Sequence, residues 1–164
     1  TGRKIRTYPT EHGLSTAVLI TDQEDVGSLG RALIERLDLR GVAKLDFKRA
    51  PDGRLYLLEV NPRFNLWHHP AAVAGMNLPA LVYADLAGLP RPPVSRARPG
   101  VRWSSPFNDM RAAKAWGVPG LRWLLWTLSC EVKGSFAWND PMPLLRGLAS
   151  RMARQYPLAG KRAG

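Results

Sequence analysis

The sequence predicts an α+β fold, and three observations predict it. Apolar runs and one amphipathic stretch follow the order strand, strand, helix, strand, strand, which is not a repeated βαβ pattern. The last two strands flank Pro51-Asp52-Gly53, a hairpin signal. Composition then changes: residues 1–90 carry 11 Lys and Arg against 10 Asp and Glu, net +1, whereas residues 91–164 carry 13 against 3, net +10. Five of the six tryptophans (Trp103, Trp116, Trp123, Trp126 and Trp138) also lie in the second part. Two units are expected, 1–90 and 91–164, with the Pro-rich basic stretch 91–99 as connector.

Taken in order, residues 1–9 read as a short strand with basic residues at Arg3 or Lys4 and at Arg6. A loop with Glu11, His12 and Gly13 follows, and residues 15–21 form a β-branched strand. Thr21 or Asp22 suits a helix cap, Glu24 and Asp25 suit the first turn, and Val26, Leu29, Leu33, Ile34 and Leu37 give the apolar stripe. Gly41 is placed to take a left-handed position after that helix.

Residues 43–49 and 54–60 are the hairpin strands. A two-residue Asp52-Gly53 turn sets Asp46 opposite Glu59, and a four-residue loop over 50–53 sets Lys44 opposite Glu59. Either way, Lys44, Asp46, Glu59 and Asn61 share one face with Leu55 and Leu57, because strand side chains alternate with period two. Ala43, Leu45, Phe47, Tyr56, Leu58 and Val60 form the other face. Two carboxylates so close are costly unless a cation lies between them. A hard divalent ion answers that need, and pairing with Lys44, Lys48 or Arg54 is the alternative.

An acid on one strand followed by Glu59-Val60-Asn61-Pro62-Arg63 at the end of the next resembles the second half of the ATP-grasp superfamily. The resemblance covers residues 1–90, most strongly 41–63, and implies the carboxyl-terminal lobe of that fold: an antiparallel sheet with packed helices, followed by a mainly helical basic extension. It implies that Asp46, Glu59 and Asn61 hold magnesium (or manganese) on the phosphates of ATP, consistent with oxygen ligands for a hard ion. It further implies catalytic roles for Lys44, near the transferred phosphate, and for Arg63, aimed at an anionic substrate or acyl phosphate. Leu58 would lie under the adenine, and His68 would contact substrate. The implied enzyme is a carboxylate–amine ligase acting on small-molecule carboxylate and amine substrates. Trp67 stands where bicarbonate-activating relatives carry an acid, so a carboxylase is disfavoured. Zinc is disfavoured too, since His68 and His69 have no third soft ligand at suitable spacing.

Residues 71–75 and 80–87 read as short helices joined at Met76-Asn77, with Pro79 at the start of the second. In the tail, residues 119–130 place Leu121, Leu124, Leu125 and Leu128 on one side of a helix. Another helix is expected from Asp140, lined by Leu144, Leu145, Leu148, Ala149 and Met152. These helices are expected to pack on the catalytic lobe, and a peripheral contact with an anionic membrane is the alternative. Interleaved Lys, Arg and Trp would also permit phosphate contacts and base stacking, although no nucleic-acid recognition motif is present. The principal rival is therefore a non-enzymatic basic module. The single Cys130 excludes an internal disulfide framework and fits a reducing, cytoplasmic setting; neither a secretory leader nor a membrane span is expected. Because Thr1 opens mid-pattern, amino-terminal lobes of the same polypeptide are expected to precede it.

Overall fold

The computed structural model describes residues 1–10, 12–94, 96–134, 140–143, 145–147 and 150. Strands β1 (Gly2–Tyr8) and β2 (Leu14–Ile20) pair antiparallel. Helix α1 (Glu24–Arg36) follows, and then the hairpin of β3 (Lys44–Arg49) and β4 (Leu55–Asn61). Helices α2 (His68–Val73) and α3 (Leu78–Leu86) come next. The connector then leads to β5 (Arg102–Ser104), α4 (Pro106–Ala115), α5 (Gly120–Ser129) and β6 (Val132–Lys133).

The mixed α+β composition agrees with the sequence, but the strands divide into two sheets, β1-β2-β5-β6 and β3-β4. Within residues 1–90 both strand pairs are antiparallel, as expected of that part, whereas β5 and β6 of the extension expected to be mainly helical run parallel to each other. Parallel neighbours need a crossover connection, and α4 and α5 provide it.

The core consists of Val18, Ile20, Ala74, Val101, Trp103 and Val132, with Trp67 and Ala97 packed against it. Three of those six follow residue 90, and Trp103 pairs directly with Val18 across β2 and β5. The division expected at 90/91 therefore crosses a shared sheet and a shared core. Cys130 joins the buried set, and burial pushes its thiol up to about 11.

The element ends show how local chemistry fixes the chain. Helix α1 closes with Asp38, not Gly41, in the left-handed position at φ 45°. Its N–H donates to Glu35 O and that of Leu39 to Ile34 O, so the last carbonyls of the helix are satisfied. Gly41, at φ 92°, takes a positive φ of its own beyond the helix. The apolar stripe of α1 is not buried, and neither Thr21 nor Asp22 caps it; the N-cap is Gln23. Asn77 caps α3 by accepting from Ala80 N–H at 3.1 Å, with Pro79 in the first turn.

A buried ion pair ties the tail to the first strands. The guanidinium of Arg6 donates to both oxygens of Asp109 on α4, at 2.8 and 2.6 Å, and Thr16 Oγ1 donates to the same carboxylate at 2.9 Å. Asp109 is fully buried. The other face of Arg6 lies 5.4 Å from the ring of Trp126, which also carries Arg102 at 5.4 Å. Trp116 donates its indole N–H to Thr7 O. Trp103 is buried in the core and Trp126 packs on Arg6, while Leu121, Leu124, Leu125 and Leu128, the side of α5 expected to pack, remain exposed. Of the helix expected from Asp140, Leu145 N–H bonds Pro141 O; Leu144, Leu148, Ala149 and Met152, and with them Trp138, lie outside the described residues. No helix among the described residues is long and apolar enough to cross a membrane.

Candidate active site

The hairpin reaches the opposition of Asp46 and Glu59 by a route that neither expected register contained. Ala50 and Arg54 close a three-residue loop, with Ala50 N–H donating to Arg54 O and Gly53 at φ 86°. Pairing then runs Arg49↔Leu55, Lys48↔Tyr56 and Phe47↔Leu57. A bulge shifts the register by one residue, and beyond it Asp46 pairs with Glu59, Leu45 with Val60 and Lys44 with Asn61. Leu57 therefore sits across from Phe47, not on the acidic face where strict alternation put it.

Pro62 ends β4 because it cannot extend the ladder. Arg63 N–H donates to Asn61 O at 2.8 Å, a three-residue turn that suits the fixed φ of Pro62. Asn65 then turns the chain again: its side-chain oxygen accepts Trp67 N–H at 2.8 Å, just ahead of α2.

These turns enclose a cleft of about 660 Å³. One wall is the hairpin, with Lys44, Asp46, Glu59 and Asn61; a second is the segment from Arg63 to Trp67; the third is Lys4 with the β1–β2 loop at His12, Gly13 and Ser15. Gly13 allows that loop to close on itself, since a Cβ there would lie 1.9 Å from the carbonyl carbon of Tyr8. Five of the residues expected in the site, Lys44, Asp46, Glu59, Asn61 and Arg63, thus share one cavity.

Two expected residues stand elsewhere. Leu58 falls at the bulge, exposed and outside the cleft lining. His68 lies behind Phe64, whose ring meets it edge-on at 4.9 Å, and burial depresses its imidazole pKa. Its Nε2 is buried without a hydrogen-bond partner.

The charges in the cleft are unevenly matched. Asp46 Oδ2 accepts from Lys44 Nζ at 2.7 Å and from Lys4 Nζ at 3.2 Å. Burial alone would raise the Asp46 carboxyl, but the hydrogen bond from Lys44 and the charges of Lys4 and Lys44 outweigh it and hold the group below the usual carboxylate range. Lys44 also lies 5.4 Å from the ring of Trp67. Among the described residues, Glu59 and Arg63 make no ion pair, and both face the cavity. The pairing alternative thus holds for Asp46 with Lys44 and does not extend to Glu59.

A cation must be judged against this donor set. No group of three or more His, Cys, Asp or Glu that could hold a metal occurs among the described residues. Magnesium asks for less from the protein: one or two carboxylates, waters and the phosphates of a substrate. Asp46 and Glu59 in direct register, with Asn61 two residues along β4 and paired with Lys44, fit that requirement. Sequence reasoning missed Lys4 as a member of the site, and Trp67 as the aromatic partner of Lys44.

Residues 2–106 match a family model described as ATP-grasp in the biosynthetic pathway with Ter operon. No curated protein and no solved structure matches the chain. The match crosses position 90 and ends just after β5, within the strand set that builds the core.

Proposed function

Since the chain belongs to the ATP-grasp family, whose members are ATP-dependent ligases that generally work with magnesium, we propose that this cleft binds magnesium and ATP and activates a carboxylate. One observation carries the reading: Asp46 faces Glu59 in register inside a cavity that also contains Lys44, Asn61 and Arg63. In this reading Asp46, Glu59 and Asn61 hold the cation, which neutralises phosphate charge when bound. Lys44 stands beside the phosphoryl group being transferred. The guanidinium of Arg63, which makes no ion pair among the described residues and donates to Phe64 O at 3.3 Å, orients the substrate carboxylate, for which a planar fork is well shaped. Leu58, outside the cleft lining, takes no part in this reading, and His68 supports the substrate side through Phe64.

The overall reaction follows from these roles. A carboxylate oxygen attacks the terminal phosphorus of ATP, and ADP leaves. An amine or similar nucleophile then attacks the carbonyl carbon of the acyl phosphate, inorganic phosphate leaves, and the nucleophile gives up a proton. No covalent bond to the protein is needed, so catalysis rests on positioning and electrostatic stabilisation. The packing of Trp103 and Trp126 supports a tail that braces the lobe and weighs against one that stacks on bases.

Calorimetric titration of the full-length protein with ADP and magnesium tests this. Binding is expected to require magnesium and to be lost in Glu59→Ala and Asn61→Ala. A folded wild-type protein that binds no nucleotide, or variants that bind as well as wild type, would refute the assignment.

A further inference from the structure

We propose that Lys4 is a second phosphate-contacting lysine of this cleft, meeting the transferred phosphoryl group of ATP beside Lys44. The proposal rests on the nucleotide reading above and adds to it a residue from a different strand.

The first observation is one of direction. Strict alternation along β1 would point Lys4 and Arg6 to the same face. The ladder instead changes register between them: Lys4 pairs with Val18 and Arg6 with Ala17. Arg6 goes to the buried Asp109, whereas Lys4 goes to the hairpin and reaches Asp46. A bulge that re-aims a side chain is characteristic of strands beside active sites.

The second observation is the inequality of the two lysines. Lys44 is held at 2.7 Å from Asp46 Oδ2, is 19% exposed, and has Trp67 behind it. Lys4 sits farther from the same oxygen, at 3.2 Å, is 39% exposed, and has no other hydrogen bond or ion pair among the described residues. One carboxylate oxygen shared by two ammonium groups leaves cationic charge unspent. Counting Lys4, Lys44 and Arg63 against Asp46 and Glu59, the described lining carries three positive and two negative charges, net +1. A cation bound at Asp46 and Glu59 would compete for that shared oxygen and release the weaker partner first. Lys4, on a flexible stem at the cavity wall, then has an anion as its natural partner.

The terminal phosphate distinguishes this role. The full-length protein, with Lys4→Met and Lys4→Arg, is titrated with ADP and with the β,γ-imido analogue of ATP, magnesium present throughout. A lost charge-assisted hydrogen bond should weaken the imido analogue about tenfold in Lys4→Met, with ADP changed less than about twofold. Lys4→Arg should retain most of the affinity. Equal weakening of both nucleotides, or no change in either, overturns the assignment of Lys4 and leaves the nucleotide site standing. Wild-type protein that binds neither nucleotide overturns both. The partial exposure of Lys4 favours a folded Lys4→Met protein, and the arginine variant keeps the comparison decisive if it is not.

Discussion

Among single residues, Asp109 contributes in a way that its sequence neighbourhood does not announce. Its carboxylate is fully buried against Arg6, Thr16 and, at 3.5 Å, Ser104. Removing one member of such a pair leaves a buried charge without compensation, which costs about 3–5 kcal/mol. Asp109→Ala should therefore lower the unfolding free energy by about that amount in urea titrations at neutral pH. A loss below about 1 kcal/mol would mean that the pair is solvated. Arg6→Met combined with Asp109→Leu should recover much of the loss, because neither charge is then buried alone. Asp46, Glu59 and Asn61 were legible in the sequence because a short motif fixed their chemistry and a hairpin signal fixed their proximity. Lys4 and Asp109 were not. Lys4 depends on a bulge that breaks the period of two, and Asp109 meets a partner 103 residues away.

The hairpin is the element on which the site depends. Its register required two compensating departures from regularity, the three-residue loop and the bulge near Leu58. The run from Leu55 to Leu58 is apolar throughout, so it satisfies several registers equally and the sequence could not choose among them. Gly53 anchors the loop at φ 86°, with open space where a Cβ would stand. Gly53→Ala should thus cost only backbone strain, about 1–2 kcal/mol. Gly53→Asn should cost less, since Asn tolerates the left-handed region. Thermal melts of the two variants test the ordering. An alanine variant as stable as wild type would show that the loop relaxes to a different turn, and Asp46 would then lose its place opposite Glu59.

Across the whole molecule, the basic tail and the motif-bearing part share one core. Val101, Trp103 and Val132 supply half of the central cluster, and β5 closes onto β2. The charge step at residue 90 falls between parts that share this cluster, and the sequence did not announce the sharing because three-residue β5 is too short to show a hydrophobic period. Residues 1–90 expressed alone should lack cooperative unfolding, whereas residues 1–134 should unfold in a single transition by circular dichroism. A cooperative melt of residues 1–90 would restore the two-unit view.

The Arg6–Asp109 pair also sets an order of events during synthesis. Arg6 leaves the ribosome 103 residues before its counter-ion does. At translation speeds of about 5–20 residues per second, that is an interval on the order of ten seconds. Throughout it, burying the first strand would enclose an unpaired guanidinium, so the β1–β2 pair stays solvated on that side. The cleft lined by β1, β2 and the hairpin is therefore finished late, once α4 has emerged to neutralise the strand that carries Lys4.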